Sequence, residues 1–282
     1  MKTLYTRSVT AAIFVIVMLG AILWSPASFF LLFLVIAVGG MREYFQLMEK
    51  IDPEYRLVSP WHRPCVYLLV PSVFLALSGK HFQFLYLPAE FLGLWLGVML
   101  ILIILVNEGL FMDRLRVKNL RHSLVGLLYI ALPLGLMVNM RFDDSVGRVP
   151  VLVLGIIGSL WINDTMAYLV GWQIGKTPFF PAISPKKTWE GTIGGVVLTL
   201  VVAAVYGYYG HACYTVGQWI AIAATAAVFG TAGDLLESKI KRLAGVKDSG
   251  TLMPGHGGIL DRFDSMLLAA PAVWLYAAFF LH

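Results

Sequence analysis

Asp234, Glu237, Ser238 and Lys241 recur at i, i+3, i+4 and i+7, a spacing that puts all four on one stripe of a helix. Arg242, Lys247 and Asp248 follow closely. Beyond them runs a glycine-rich loop with Pro254 and His256, and then Asp261, Arg262 and Asp264 where a new apolar run begins. Carboxylates on two separate elements, facing one basic stripe, are what a phosphate-handling metal site requires. Mg2+ takes a few carboxylates and completes its shell with water and substrate phosphates. Lysine and arginine neutralise the remaining charge. A plain salt-bridged loop has no packing use for this density of glycine and proline. His256 alone reads as a general acid, a phosphate ligand or a structural hydrogen-bonder, with the last two preferred.

Two further clusters carry chemistry. WINDTMAYLVGWQIGK, residues 161–176, sets Asn163 and Asp164 well inside an apolar run. An ionisable residue there is costly and marks a functional site by default. Tyr168 lies four residues beyond Asp164, so a helix presents the two together. In PAISPKKTWEGTIGG, residues 181–195, Pro181 and Pro185 break helix, and Ser184, Lys186, Lys187 and Thr188 form a donor-rich turn. Glu190 and then Gly191, Gly194 and Gly195 open the next run. Donors at the positive end of a helix make an anion site, and glycines there let helices approach closely.

Membrane helices must position these groups. The chain has 282 residues, 59% of them hydrophobic and 13% charged, too little charge to cover a soluble protein of this length. The apolar runs do not alternate with polar residues, which excludes a transmembrane barrel. The expected fold is an all-α polytopic membrane protein with nine spans, near 9–24, 27–40, 64–79, 87–106, 122–140, 150–171, 191–210, 217–234 and 263–281. Residues 1–150 would form an N-terminal region of five helices, and 151–282 a catalytic region of four helices with cytoplasmic loops. MREYFQLMEKIDPEYR and NEGLFMDRLRVKNLRH read as loops with short amphipathic or interfacial helices.

With the N-terminus in the cytoplasm, only Lys80, Arg141 and Arg148 of the 21 basic residues fall outside, as the positive-inside rule requires. The C-terminus then lies outside. Lys2 and Arg7 before an apolar run imitate a signal peptide, but a second run follows almost at once, so an uncleaved hairpin is expected. The net charge of +5 suits anionic headgroups on the cytoplasmic leaflet. No long basic run with interleaved aromatics points to nucleic acid. Cys65 and Cys213 fall on opposite sides, so no disulfide is expected, and neither has metal-ligand spacing.

These residues resemble the phosphatidate cytidylyltransferase (CDP-diglyceride synthase) family. Its closing pattern stands here as Ser238, Lys241, Arg242, Lys247, Asp248, Pro254, His256, Gly257, Gly258, Asp261, Arg262 and Asp264, with Met253 where a branched aliphatic is usual. A second stretch matches as Ser184, Pro185, Lys187, Thr188, Glu190 and Gly191, and the intramembrane Asp164 matches too. The resemblance covers about residues 155–282; the first half offers only a compatible hydropathy pattern. It implies transfer of a cytidylyl group from CTP to phosphatidate, with Mg2+ held by Asp234 and Asp261 and K+ a candidate at a second position. It also implies a homodimer and a bacterial inner membrane with the site facing the cytoplasm. Asp164 and Asp264 are then further carboxylates for the metal shells. Lys241, Arg242 and Lys247 would hold phosphates, with Asp248 and His256 beside them. Ser184, Lys187, Thr188, Glu190, Ser238 and Arg262 would contact nucleotide or lipid phosphate. A CTP-dependent lipid kinase is the nearest alternative; a transporter would need paired broken helices, and no inverted repeat is seen.

Overall fold

The structure is a computed structural model and describes residues 2–79, 82–84, 87–111, 117–143, 150–210, 213–252 and 257–281. Pro254 and His256, and the basic residues Lys80, Arg114, Arg116 and Arg148, lie outside the described residues. Among the described residues, seven helices are long and apolar enough to cross a membrane, and two shorter apolar ones, Val9–Trp24 and His62–Leu77, accompany them. The chain is an all-α polytopic membrane protein with two small antiparallel hairpins as its described strands.

It forms two compact units, Met1–Asp143 with Leu243–Asp261, and Asp144–Arg242 with Arg262–His282. The first unit ends at Asp143, where a break at 150/151 was expected, and residues 243–261 pack with it.

The first unit opens with α1 (Lys2–Trp24) and α2 (Pro26–Ile51). Ser25 and Ser28 cap each other's backbone N–H reciprocally, at 3.0 Å each, and Pro26 starts the helix. That pairing satisfies two N-terminal donors and separates two apolar runs that would otherwise fuse. A short 3-10 turn (Pro53–Arg56) leads to α3 (His62–Leu77). Strands β1 (Gln83–Phe84) and β2 (Leu87–Pro88) precede α4 (Ala89–Phe111). Helix α5 (Val117–Gly126), a π turn (Leu127–Ala131) and α6 (Leu132–Asp143) then run on as one element. Pro133, which has no N–H to donate, sits just past the π turn, where the regular ladder has to break.

Three residues or segments of this unit stand differently from expectation. MREYFQLMEK is no separate interfacial helix, because it continues α2 to Ile51. Glu43 is only 6% exposed there. Its carboxylate accepts hydrogen bonds from Ser249 Oγ (2.7 Å), Ile259 N (2.8 Å) and Leu260 N (3.0 Å). Those backbone donors stand at the start of a later helix, where they have no intrahelical partner. They answer the buried carboxylate, and this is why residues 243–261 belong to the first unit. Glu108 likewise is no loop residue: it lies within α4, fully buried. Its Oε1 meets Ser59 N (2.9 Å) and His62 Nδ1 (2.8 Å), while His62 Nε2 meets Ser123 Oγ at 2.7 Å and Tyr55 O–H meets the same oxygen at 2.7 Å. Arg141, expected in an outer loop, is buried on α6 and donates to Ile22 O at 3.3 Å.

At the polar edge of this unit, the Asp52 carboxylate meets the Lys118 ammonium at 2.8 Å and His122 Nε2 at 3.1 Å. The Lys118 ammonium, then the His122 ring, hold the Asp52 carboxyl below its ordinary range against desolvation. A carboxyl depressed in the fold stabilises above its unfolded pKa and loses that contribution as pH falls.

The second unit contains α7 (Val151–Ile174), strands β3 (Pro178–Phe180) and β4 (Ser184–Thr188), α8 (Trp189–Tyr209), α9 (Val216–Leu243) and most of α10 (Leu260–Phe280). At 28 residues, α9 is about 42 Å long, well beyond a hydrocarbon core of roughly 30 Å. Its charged last turns therefore project past the apolar layer. Cys65 is buried and Cys213 is exposed.

Replacing Glu43 with alanine removes one acceptor from three donors, two of them backbone N–H groups. We expect a loss of about 3 kcal/mol, read as a lowered thermal midpoint in detergent. An unchanged midpoint would contradict the role given to Glu43.

Candidate active site

Close approach of α7 and α8 builds the site. A Cβ on Gly191 would lie 2.7 Å from Ala167 O, and one on Gly195 would lie 2.9 Å from Asn163 O. Only glycine permits this contact, as the sequence implied. It brings the Asn163 and Ala167 face of α7 against the first turns of α8.

The segment between these helices is a hairpin rather than the expected plain turn. Pro178 pairs with Thr188, and Phe180 with Ser184. Glu190 closes its base: its carboxylate accepts from Lys176 N (3.1 Å), Thr177 N (3.1 Å) and Thr177 Oγ1 (2.8 Å). Glu190 is thus a clamp that sets the hairpin on α8. Phe179 packs edge-on against Trp189, with centroids 4.4 Å apart. Thr188 caps α8, accepting from Gly191 N at 3.2 Å.

This arrangement turns Lys186, Lys187 and Thr188 into a cleft of about 510 Å³, shared with Asn163, Asp164, Tyr168 and Trp172 from α7 and with Thr231 and Asp234 from α9. Asn163 is buried and donates to Thr231 Oγ1 at 3.4 Å. The Lys187 ammonium pairs with the Asp234 carboxylate. Ser238 Oγ donates to Asp234 Oδ1 at 3.2 Å, confirming the stripe read from the spacing. On α10, Asp264 stands within electrostatic reach of Asp234, Glu237 and Asp164. Asp164 in turn feels Asp234, Lys187 and Arg262. The close approach of α9 and α10 again depends on a glycine: a Cβ on Gly233 would lie 3.3 Å from Ser265 Cα.

Three helices thus carry aspartates that act on one another, with Lys187 and Arg262 as counter-charges. Like charges gathered at low dielectric call for a cation between them. Among the described residues no three His, Cys, Asp or Glu side chains converge closely enough to hold a metal alone. The donor set suits an oxygen-loving ion that takes the rest of its shell from water and phosphate, as Mg2+ does.

Other expected residues make contacts of their own. Ser184 lies in β4, paired across to Phe180. Lys241 is 9% exposed and reaches Glu237, itself 1% exposed, at 2.6 Å. Arg242 donates to Ile183 O at 3.3 Å and so ties α9 to the hairpin. In the first unit, Lys247 and Asp248 are exposed. Asp261 Oδ2 there accepts from Ser249 N (2.9 Å) and Gly258 N (2.7 Å), and shares with Glu43 the single hydroxyl hydrogen of Ser249, whose Oγ lies 3.0 Å away. Asp261 therefore holds its own glycine loop together, and Gly257, at φ +84°, supplies the left-handed turn this needs. His256 lies outside the described residues. Thr231 and Glu43 were not anticipated. For Thr231 a signal existed, since it stands one turn before Asp234 on the same stripe.

A model of the cytidylyltransferase family matches residues 5–280. The chain is similar to phosphatidate cytidylyltransferase of Bacillus subtilis (strain 168), 39% identical over 153 residues, which is 54% of this chain and 56% of that protein. It is 47% identical over 114 residues to the Staphylococcus aureus (strain COL) protein of the same name, covering 40% of this chain and 43% of the relative. The Staphylococcus haemolyticus protein of that name is 46% identical over 114 residues, with the same shares covered. The matches thus span about half the length of these curated relatives.

The two lysines should separate on substitution. Lys241→Ala breaks a buried pair and should destabilise by on the order of 3 kcal/mol, seen as a lower thermal midpoint. Lys187→Ala should leave the midpoint nearly unchanged and remove a cleft cation, seen as weaker nucleotide binding. The reverse pattern would overturn the assignment of Lys187 to the cleft.

Proposed function

The chain belongs to the cytidylyltransferase family, and from that premise we propose that it transfers the cytidylyl group of CTP to phosphatidate, giving CDP-diacylglycerol and diphosphate. The observation that carries this reading is the cleft, where Asp164, Lys187 and Asp234 meet inside an apolar helix bundle. The names of the relatives support the same substrate pair.

The nucleophile is an oxygen of the phosphatidate phosphate. A phosphate monoester with a second pKa near about 6 is largely dianionic at neutral pH, so no side chain has to remove a proton. That oxygen forms a bond to the CTP α-phosphorus, the bond from the α-phosphorus to the bridging oxygen breaks, and diphosphate leaves with the electron pair. Lys187 and Arg262 neutralise phosphate charge and orient the two anions, which would otherwise repel each other. Thr188 and Ser184 keep the hairpin in place beneath them, and Glu190 keeps the hairpin on α8. Asp164, Asp234 and Asp264 would hold Mg2+, with K+ a second candidate ion. The ion supplies charge stabilisation at the phosphoryl oxygens when bound. From the sequence pattern alone we keep Asp261 as a metal ligand, Lys241, Arg242, Lys247 and Asp248 as phosphate-side residues, and His256 as a structural or phosphate contact. The same reading carries nine spans with the N-terminus in the cytoplasm and the C-terminus outside, a bacterial inner membrane, and a homodimer.

A CTP-dependent lipid kinase would use the same nucleotide and ion, so position of label decides. With CTP labelled at the α-phosphate, phosphatidate and Mg2+, label should enter the lipid, while γ-label should not. The opposite distribution would identify a kinase, and no incorporation from either label would overturn the reading.

A further inference from the structure

We infer that an apolar pocket beyond Asn163 receives an acyl chain of the lipid substrate, and that Gly158 sets how long a chain it takes. This rests on the functional reading above. The pocket holds about 340 Å³ and is walled by Leu154, Gly158 and Ile162 of α7, Val202 and Tyr206 of α8, and Trp219 of α9. Thr199 on its wall donates its hydroxyl to Gly195 O at 2.8 Å, leaving its methyl as the surface it offers.

The pocket and the polar cleft are walled by the same three helices, and they adjoin. Ile162 lines the pocket, and the next residue, Asn163, lines the cleft. Together they have the form of an amphiphile: cations and carboxylates at one end, hydrocarbon at the other. Asp164 stands near the middle of α7, so a phosphate held there draws its lipid deep into the bundle and drives a chain onward. The pocket lies where that chain must go. From Asp164 back to Gly158, on the pocket wall, α7 runs about 9 Å, within the roughly 15 Å, half of a hydrocarbon core, that one leaflet's chains reach. An apolar cavity left unfilled would be a liability to the bundle.

Gly158 is the position that can gauge the chain. A Cβ built there meets nothing within 4 Å, whereas one on Gly155, a turn earlier, runs into the Trp219 ring. A side chain at 158 therefore grows into the pocket and not into a neighbour.

The experiment compares kcat/KM for dioctanoyl and dioleoyl phosphatidate in wild type, Gly158→Ala and Gly158→Leu. The ratio of short-chain to long-chain kcat/KM should rise stepwise, by about tenfold for the leucine variant, since several methylenes lose their burial. Gly20→Leu, where a Cβ also meets nothing, should leave the ratio at the wild-type value. Should Gly158→Leu not fold, the wild type can be labelled with phosphatidate bearing a diazirine at the chain terminus, and the adduct should map to residues 151–162 or 199–206. An unchanged ratio in a folded leucine variant, as expected if a lipid of the other leaflet merely fills the pocket, would overturn the assignment, as would adducts found only elsewhere. A wild type that turns over neither lipid defeats the functional reading itself, and the pocket assignment with it.

Discussion

A carboxylate carried into an apolar helix bundle has to be met by a cation or by hydrogen-bond donors, because water is absent to do it. This constraint orders both units. Glu43 is answered by Ser249 Oγ and two backbone N–H groups, which recruits residues 243–261 to the first unit. Glu108 is answered by His62 and Ser59 N. Glu237 is answered by Lys241 one turn along the same helix. For Glu43 and Glu108 a potential liability becomes a joint between elements. The aspartates of the second unit differ, since Asp164, Asp234 and Asp264 face one another as well as Lys187 and Arg262. On the proposed reading, this acid cluster, answered by side chains only in part, is where a metal ion and a triphosphate would complete the balance.

Glycine placement makes that cluster attainable. Gly191 and Gly195 bring α8 onto α7, and Gly233 brings α10 onto α9, each by backbone approach that a Cβ would block. The hairpin then needs only a few residues to carry Lys187 across to Asp234. Glu190, fixed by Lys176 and Thr177, removes the freedom that a loop of this length would otherwise have. Positioning here comes from close helix contact and one clamp, so the reacting groups require little reorganisation.

The parts legible in the sequence are those set by local geometry. The Asp234–Ser238 contact follows from i, i+4 spacing, and Asp164 announced itself as a lone acid in an apolar run. The glycines opening α8 were readable for the same reason. The hairpin was not, because strands of three and five residues are too short to show alternation. Glu43 was read as interfacial because its partner, Ser249, lies 206 residues away, and nothing near residue 43 reports it. Glu108 and His62 conceal each other in the same way, 46 residues apart. Lys241, expected beside phosphate, also has a partner in Glu237, four residues earlier on the same stripe. A stripe shows which residues share a face and does not show which of them are already paired.

The most direct measurement is the rate of CDP-diacylglycerol formation by Asp234→Asn across a Mg2+ titration, taken beside its thermal midpoint in detergent. The expected result is a fall of at least about a hundredfold that excess Mg2+ does not restore, with the midpoint close to wild type, since the Lys187–Asp234 pair is partly exposed. A rate near wild type at saturating Mg2+ would contradict the placement of the reaction in this cleft.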